Sequence, residues 1–126
     1  MAAPLAVRGE FSSADARALS ESDARVTLYP ASSTTALTLA STDVFRISAA
    51  VITAGTTGNL IVTLYDGANA SVAAGERLLR VSVLSNSTVV VPLPQAIYCQ
   101  AGTYPKVLAD AAGDVNVTLT GAIEYS

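Results

Sequence analysis

The last strand-like segment of the chain constrains the fold most strongly, because apolar and polar side chains alternate along it with scarcely an error. The apolar positions are Val115, Val117, Leu119, Ile123 and Tyr125. The polar positions between them are Asp114, Asn116, Thr118, Thr120 and Glu124. Successive side chains of an extended strand point to opposite faces, so this segment predicts a strand with one buried and one solvent-facing side.

The same period recurs along most of the chain after Arg25, in short apolar runs separated by turn residues about every 8 to 12 positions. Helical periodicity is almost absent. The pattern therefore predicts an all-β fold, an antiparallel β-sandwich of jelly-roll-like type with roughly eight or nine strands. A five-stranded barrel would leave some of these strands unused. One of the predicted strands contains Pro94, so it must end there or lie at a sheet edge.

The first 22 residues differ from the rest because they carry a large share of the charged side chains. We interpret residues 1–22 as an N-terminal arm and residues 23–126 as the sandwich domain. Ser12 to Asp15 could cap a short helical turn within the arm. The arm is either loose or docked on another surface, and its only candidate apolar anchors are Leu5, Val7 and Phe11.

The composition favours a chain that is packed into an assembly. The 126 residues are enough for one domain with one core. Charged residues make up only 13% of the chain, about half the usual share of roughly 25%. Serine and threonine, 26 residues together, take their place. A neutral, hydroxyl-rich surface does little to repel other copies. The alternative is a monomer made soluble by its hydroxyl groups.

Charge and cysteine content exclude several classes of protein. The net charge is −3, and the seven cations are scattered without a basic cluster, which argues against nucleic-acid binding. No run of 18 apolar residues and no convincing signal peptide is present, so we expect no membrane segment and synthesis in a reducing cytoplasm. The single cysteine, Cys99, excludes an internal disulfide and is expected in the core.

Few residues could carry out catalysis, so we expect neither an enzyme nor a cofactor. Histidine and tryptophan are absent, and no phosphate-binding glycine motif occurs. Two carboxylate pairs flank loops, Asp110 with Asp114 and Asp66 with Glu76. They are better explained as turn residues than as a hydrolytic pair. A calcium site at Asp110 and Asp114 remains an alternative, although no EF-hand spacing supports it.

Each of the five tyrosines has two interpretations: it packs in the core or at a sheet edge, or it binds a ligand. Tyr65 closes a strand before an Asp-Gly turn, which favours cross-strand packing. Tyr29 precedes Pro30 and could lie at an interface. We favour packing for all five.

Several turn and strand motifs resemble a known class of proteins. They lie at Ile61–Gly67 (LYDG), Gly75–Leu79 (G-x-x-LL), Pro94–Tyr98 (P-x-x-I), Ala101–Val107 (G-x-Y-x-x-V) and Gly113–Leu119 (V-x-V). In this order they resemble small β-sandwich structural proteins of tailed bacteriophage virions, including head decoration (cement) proteins. The resemblance covers about residues 59–125. Pro105 departs from it, since a β-forming residue is more usual there, and this suggests an edge strand.

The resemblance implies a non-enzymatic virion component, often a homotrimer, seated on the capsid lattice. We therefore predict a decoration protein on the outer surface of a phage head that clamps the major capsid protein and stabilises the shell. In this prediction Leu5, Val7 and Phe11 of the N-terminal arm contact the capsid or another subunit. Alternatives are a tail- or fibre-associated component and a carbohydrate-binding β-sandwich module with a cleft lined by loop tyrosines. A secreted, cytokine-like trimer is weaker, because a signal peptide and disulfides are missing.

Overall fold

The chain folds into two antiparallel β-sheets, as seen in a computed structural model. The structure describes residues 5–13, 25–37, 43–56, 59–67, 77–99, 104–110 and 113–125. Within these ranges eight strands form: β1 (Leu5–Ser13), β2 (Thr27–Pro30), β3 (Asp43–Ala54), β4 (Leu60–Gly67), β5 (Arg77–Val83), β6 (Thr88–Cys99), β7 (Tyr104–Ala109) and β8 (Val115–Tyr125). No helix in the described part of the chain is long and apolar enough to cross a membrane.

The described residues form two antiparallel sheets with eight strands in total, which confirms the predicted all-β sandwich. The larger sheet has the order β2-β1-β8-β3-β6, and the smaller sheet has the order β5-β4-β7. The start of β2 also touches the smaller sheet. Arg25 forms a bridge with Lys106 of β7, and the Val26 amide donates to the Pro105 carbonyl at 2.8 Å. Residues 25 and 26 therefore lie beside β7, and the chain then enters β2, which pairs with β1 in the larger sheet.

One apolar core lies between the sheets. In β8 the residues Val115, Val117, Leu119 and Ile123 are all buried, as the alternation predicts. They pack in one cluster with buried residues of the other strands, including Phe45, Ile47, Leu28, Val62, Val83 and Val107. Cys99 is fully buried in the same cluster, in agreement with its predicted place.

Residues 5–13, which the sequence analysis assigns to the N-terminal arm, form strand β1 instead. This strand lies between β2 and β8 and pairs with β8 along its whole length and with β2 from Val7 to Glu10. The reason is a period-2 pattern at Val7, Gly9 and Phe11, in which a glycine stands for one apolar side chain. A β-carbon on Gly9 would lie 2.8 Å from Val26 Cγ1 and 3.2 Å from Leu28 Cδ2, so these two side chains fill the missing volume. The helical turn proposed from Ser12 to Asp15 is absent at Ser12 and Ser13, and the remainder lies outside the described residues.

A β-bulge in the central strand β3 sets the register of the larger sheet. The pairing with β8 shifts between Ile47 and Ala49, so that Ser48 is the extra residue. Its hydroxyl donates to the Thr120 carbonyl at 3.1 Å. The bulge lets Ile47 and Ala50 both face the core although they are three positions apart.

Both prolines that were expected to mark edges do lie in edge strands. Strand β6, which contains Pro92 and Pro94, is the last strand of the larger sheet, and β7, which contains Pro105, ends the smaller one apart from the Arg25 bridge. The Pro94 segment does not end the strand. Between the pairs Ala49–Pro92 and Ile47–Ile97, residues 93–96 of β6 face the single residue Ser48 of β3. Strand β6 therefore continues through an irregularity to Cys99. The segments on either side of Pro94, which a break at this proline would make separate strands, therefore form one strand.

Candidate interaction surfaces

The three predicted contact residues lie in β1, and only one of them is at the surface. Val7 and Phe11 are buried in the core, whereas the side chain of Leu5 is 37% exposed. Because Val7 and Phe11 face the interior of the sandwich, neither can contact a second protein without unfolding β1. The structure thus leaves Leu5 as the accessible member of the set.

Of the four carboxylates that could have formed a catalytic or calcium site, that of Asp110 has a structural role in the sheet. Asp110 extends the β4–β7 ladder: its Oδ1 accepts from the Ile61 amide at 2.7 Å, and its own amide donates to the Ile61 carbonyl at 3.0 Å. Asp114 accepts at its backbone carbonyl from the Gly55 amide at 2.9 Å. Asp66 lies in β4, and Glu76 lies outside the described residues. Among the described side chains, no group of three histidine, cysteine, aspartate or glutamate residues is placed to hold a metal ion.

The tyrosines occupy different environments. Tyr65 in β4 is buried, as its predicted packing role requires, and Tyr98 in β6 is 50% exposed. Tyr29 lies in β2, with the Arg8 guanidinium carbon 4.9 Å from its ring centroid. Tyr104 and Tyr125 lie in β7 and β8. Among the tyrosines whose exposure the structure describes, the exposed ring of Tyr98 and the half-buried ring of Tyr29 lie on strands of the larger sheet, and not on loops as a cleft of loop tyrosines would require.

Arg8 ties the turn after β2 to the outer surface of β1. Its Nη1 donates to the carbonyls of Pro30 and Ala31, each at 3.0 Å, and its Nη2 donates to the Ser33 carbonyl at 2.8 Å. Its Nε donates to Glu10 on the same strand. Four donor contacts leave a guanidinium little capacity for another anion, since it has five N–H groups in all.

The outer side of β3 and β6 is apolar and carries little charge. We call it the β3–β6 face, formed by the outward-pointing residues Ala49, Val51, Val90, Pro92 and Tyr98. Cross-strand pairs join Ala49 to Pro92 and Val51 to Val90. Val90 is 63% exposed, and Leu84, in the turn that leads into β6, is 60% exposed. Three of the four exposed large apolar side chains in the described part of the chain therefore lie on β6 or next to it.

One ion pair borders the β3–β6 face. Arg46 Nε lies 2.9 Å from Glu124 Oε1, which is close enough for a salt bridge. The buried Nε is not aligned to donate a hydrogen bond to this oxygen. The charges of Arg46 and Glu124 compensate each other, so the face next to them presents no net charge.

A polar groove lies on the other half of the same sheet, across β2, β1 and β8. We call it the β1–β8 groove. Its main cavity has a volume of about 470 Å3 and is lined by Glu10, Phe11, Ser12, Thr27, Tyr29, Asn116, Val117 and Thr118. A second cavity of about 280 Å3, lined by Ser12, Ser13, Asp114, Val115 and Asn116, adjoins it. Ser12 and Asn116, which face each other across β1 and β8, line both cavities. The groove therefore continues from Tyr29 to Asp114.

One buried charged residue was not expected from the sequence. Lys106 in β7, the residue that forms the bridge with Arg25, is fully buried. Asp43, at the start of β3, is buried as well. Both have polar or electrostatic partners, as buried ionised side chains require. Neither residue stands out in the sequence, because each lies in an ordinary strand context.

No protein-family model matches the chain, and no curated protein matches it significantly. The function is therefore inferred from the fold and from the surfaces described above.

Proposed function

We propose that this chain is a structural protein that works by association, a decoration (cement) protein that self-associates, as a homotrimer, and binds the major capsid protein on the outer surface of a phage head. The β3–β6 face is the observation that carries the proposal. Four large apolar side chains are exposed in the described residues: two of them, Val90 and Tyr98, lie on this face, and a third, Leu84, lies in the turn that leads into β6. Apolar patches that stay exposed in a folded chain commonly mark interaction sites.

The edge of the sheet favours contact through its face. A free edge strand offers unpaired backbone groups to any other strand. In β6 the residues Pro92 and Pro94 remove two amide donors, so extension of the sheet by a neighbouring strand is discouraged. The exposed side chains of Val90 and Tyr98 remain available on the outer surface. An interface built from side chains of this face is consistent with both features.

The chemistry of the face also favours a neutral partner. None of its five residues carries a charge at neutral pH, and the nearest charges belong to the Arg46–Glu124 pair. A strongly charged partner would find no opposite charge on this face, and its charged groups would lose their hydrating water on binding. A second copy of the same chain presents a surface of the same neutral type. Repetition of modest contacts by symmetry then provides the avidity that a shell-binding protein needs.

The test compares two lysine substitutions on the same face of the sheet. Val90→Lys puts a charge into the β3–β6 face, whereas Thr27→Lys puts the same charge on exposed β2 at the opposite edge. We expect native mass spectrometry to give a trimer for the wild type and Thr27→Lys, and mostly monomer for Val90→Lys. Circular dichroism confirms that both variants are folded. A wild-type chain that stays monomeric at high concentration would contradict self-association.

Binding to the shell needs a separate measurement. Phage heads that lack the decoration protein are incubated with the wild type and with both variants, and bound protein is separated by sedimentation. We expect Val90→Lys to bind less than the other two. Mass spectrometry of isolated heads and tails from purified particles distinguishes a head protein from a tail- or fibre-associated one. If the chain were recovered with tails alone, it would be a tail- or fibre-associated component and not a head protein.

A further inference from the structure

We infer that the β1–β8 groove is a binding site for an uncharged saccharide. The inference does not depend on self-association, because the groove lies on β2, β1 and β8 and the β3–β6 face lies on the other half of the sheet. Its main cavity, of about 470 Å3, has the size of a typical small-molecule site.

The side chains that line the groove suit a ligand rich in hydroxyl groups. Ser12, Thr27 and Thr118 provide hydroxyls, and Asn116 provides an amide, so each can both donate and accept a hydrogen bond. A sugar ring has the same dual capacity at most of its oxygen atoms. Tyr29 adds an aromatic ring, whose apolar surface can cover the C–H side of a sugar while its hydroxyl stays in water.

The charges around the groove argue against an anionic ligand. Arg8 is the cation next to Tyr29, and its donors are directed at Glu10 and at three backbone carbonyls. The groove also carries two carboxylates, Glu10 in the main cavity and Asp114 in the adjoining one. An anion would meet these carboxylates without a guanidinium free to compensate them. A sulfated or uronic saccharide is therefore disfavoured against a neutral one.

The position of the groove argues against a peptide. Peptides commonly bind by adding a strand to a free sheet edge, where the backbone supplies the hydrogen bonds. The groove lies on the face of the sheet, where β1 pairs with β8 from Glu10 to Ser12 and with β2 at Glu10. Its binding groups are side chains at fixed cross-strand positions, such as Glu10 opposite Thr118 and Ser12 opposite Asn116. A rigid array of this kind favours a ligand that offers hydroxyl groups on one face.

Arg8 has a positioning role in this site. It stacks on the Tyr29 ring at 4.9 Å and holds the Glu10 carboxylate on the neighbouring position of β1. One face of the tyrosine is therefore occupied, and the rotamer freedom of both neighbours is reduced before a ligand arrives. This preorganisation lowers the entropic cost of binding.

The experiment uses the full chain, labelled with 15N, and four neutral probes: cellohexaose, maltohexaose, laminarihexaose and hexa-N-acetylchitohexaose. A heparin hexasaccharide serves as the anionic probe. We expect at least one neutral probe to shift the amide signals of β1, β2 and β8, with a dissociation constant of about 0.1–1 mM. The absence of any shift up to about 10 mM of every neutral probe, or tighter binding of the heparin probe, would overturn the inference.

Three variants locate the site. Tyr29→Ala removes the ring, and Asn116→Ala removes the amide without touching the Arg8 contacts. We expect each to weaken binding about tenfold or more. Thr120→Val is the matched control, because Thr120 is an exposed residue of β8 outside the lining of the groove. It should bind as the wild type does. Undiminished binding by both groove variants, with their spectra showing a folded chain, would place the saccharide elsewhere and refute the site.

Discussion

Gly121 of β8 lies directly against the backbone of Arg46 in β3. A β-carbon at position 121 would come within 1.9 Å of the Arg46 carbonyl oxygen and 3.1 Å of the Ile47 α-carbon. The contact is close because the β3 bulge at Ser48 changes the pairing of these two strands beside Gly121. Both obstacles are backbone atoms of the central strand, so no side-chain rotation can relieve them.

We predict that Gly121→Ala destabilises the fold by about 3 kcal/mol or more, because β3 and β8 would have to separate locally. Gly9→Ala is the matched comparison in the same sheet. There the obstacles are the side-chain ends of Val26 and Leu28, so a shift of these two side chains can make room while the strands stay paired. We expect a loss of only about 1–2 kcal/mol for Gly9→Ala. Urea denaturation of both variants measures the difference, and equal losses would contradict this account.

Arg8 should be sensitive even to a conservative replacement. Arg8→Lys keeps the positive charge beside Glu10 but cannot reproduce the fork that binds the carbonyls of Pro30, Ala31 and Ser33. We expect a loss of about 1.5–3 kcal/mol in the free energy of unfolding and faster amide exchange in the turn after β2. Arg80→Lys, at an exposed position of β5, should change stability by less than about 0.5 kcal/mol. If both substitutions changed the free energy of unfolding by a similar amount, the contribution of Arg8 to stability would come from its positive charge and not from its fork of hydrogen bonds.

Asn86 adopts a left-handed backbone conformation, with φ of 57°, in the turn between β5 and β6. The turn closes with the Ser87 amide on the Leu84 carbonyl at 3.2 Å, and Asn59 Oδ1 accepts from the Ser85 amide at 3.0 Å. Asn86→Gly should therefore keep the wild-type stability, whereas Asn86→Ala should lose about 1 kcal/mol. Thermal unfolding of the pair provides the measurement. Alanine as stable as glycine at this position would mean that the turn relaxes to negative φ.

The sequence predicts a strand well where the alternation of apolar and polar side chains shows which face is buried. It predicts a strand less well where side chains from distant parts of the chain complete the buried face. The alternation in β8 needs no tertiary information. The pattern of β1 is hidden, because Gly9 leaves a volume that Val26 and Leu28 fill. The charged side chains of Arg8 and Glu10 belong to the outer face of a strand and resemble those of a loose arm.

The two surfaces could not be predicted, because they depend on register. The β1–β8 groove assembles Glu10, Thr27 and Asn116, and their alignment follows from strand pairing that no local pattern specifies. The β3–β6 face depends on the continuation of β6 through Pro92 and Pro94. A local rule ends or interrupts the strand at such residues, whereas the sheet accommodates them at its edge.

The two prolines of β6 should protect the chain from uncontrolled sheet extension. Replacing both by threonine, Pro92→Thr with Pro94→Thr, restores two amide donors and raises the β propensity of a strand that is already rich in valine. We expect this variant to form large aggregates that grow with protein concentration, measured by light scattering. The lysine pair, Pro92→Lys with Pro94→Lys, restores the same donors but adds charges that oppose edge-to-edge pairing, so it should stay dispersed. If the threonine pair scattered no more light than the wild type, the free edge of β6 would be protected by something other than its prolines.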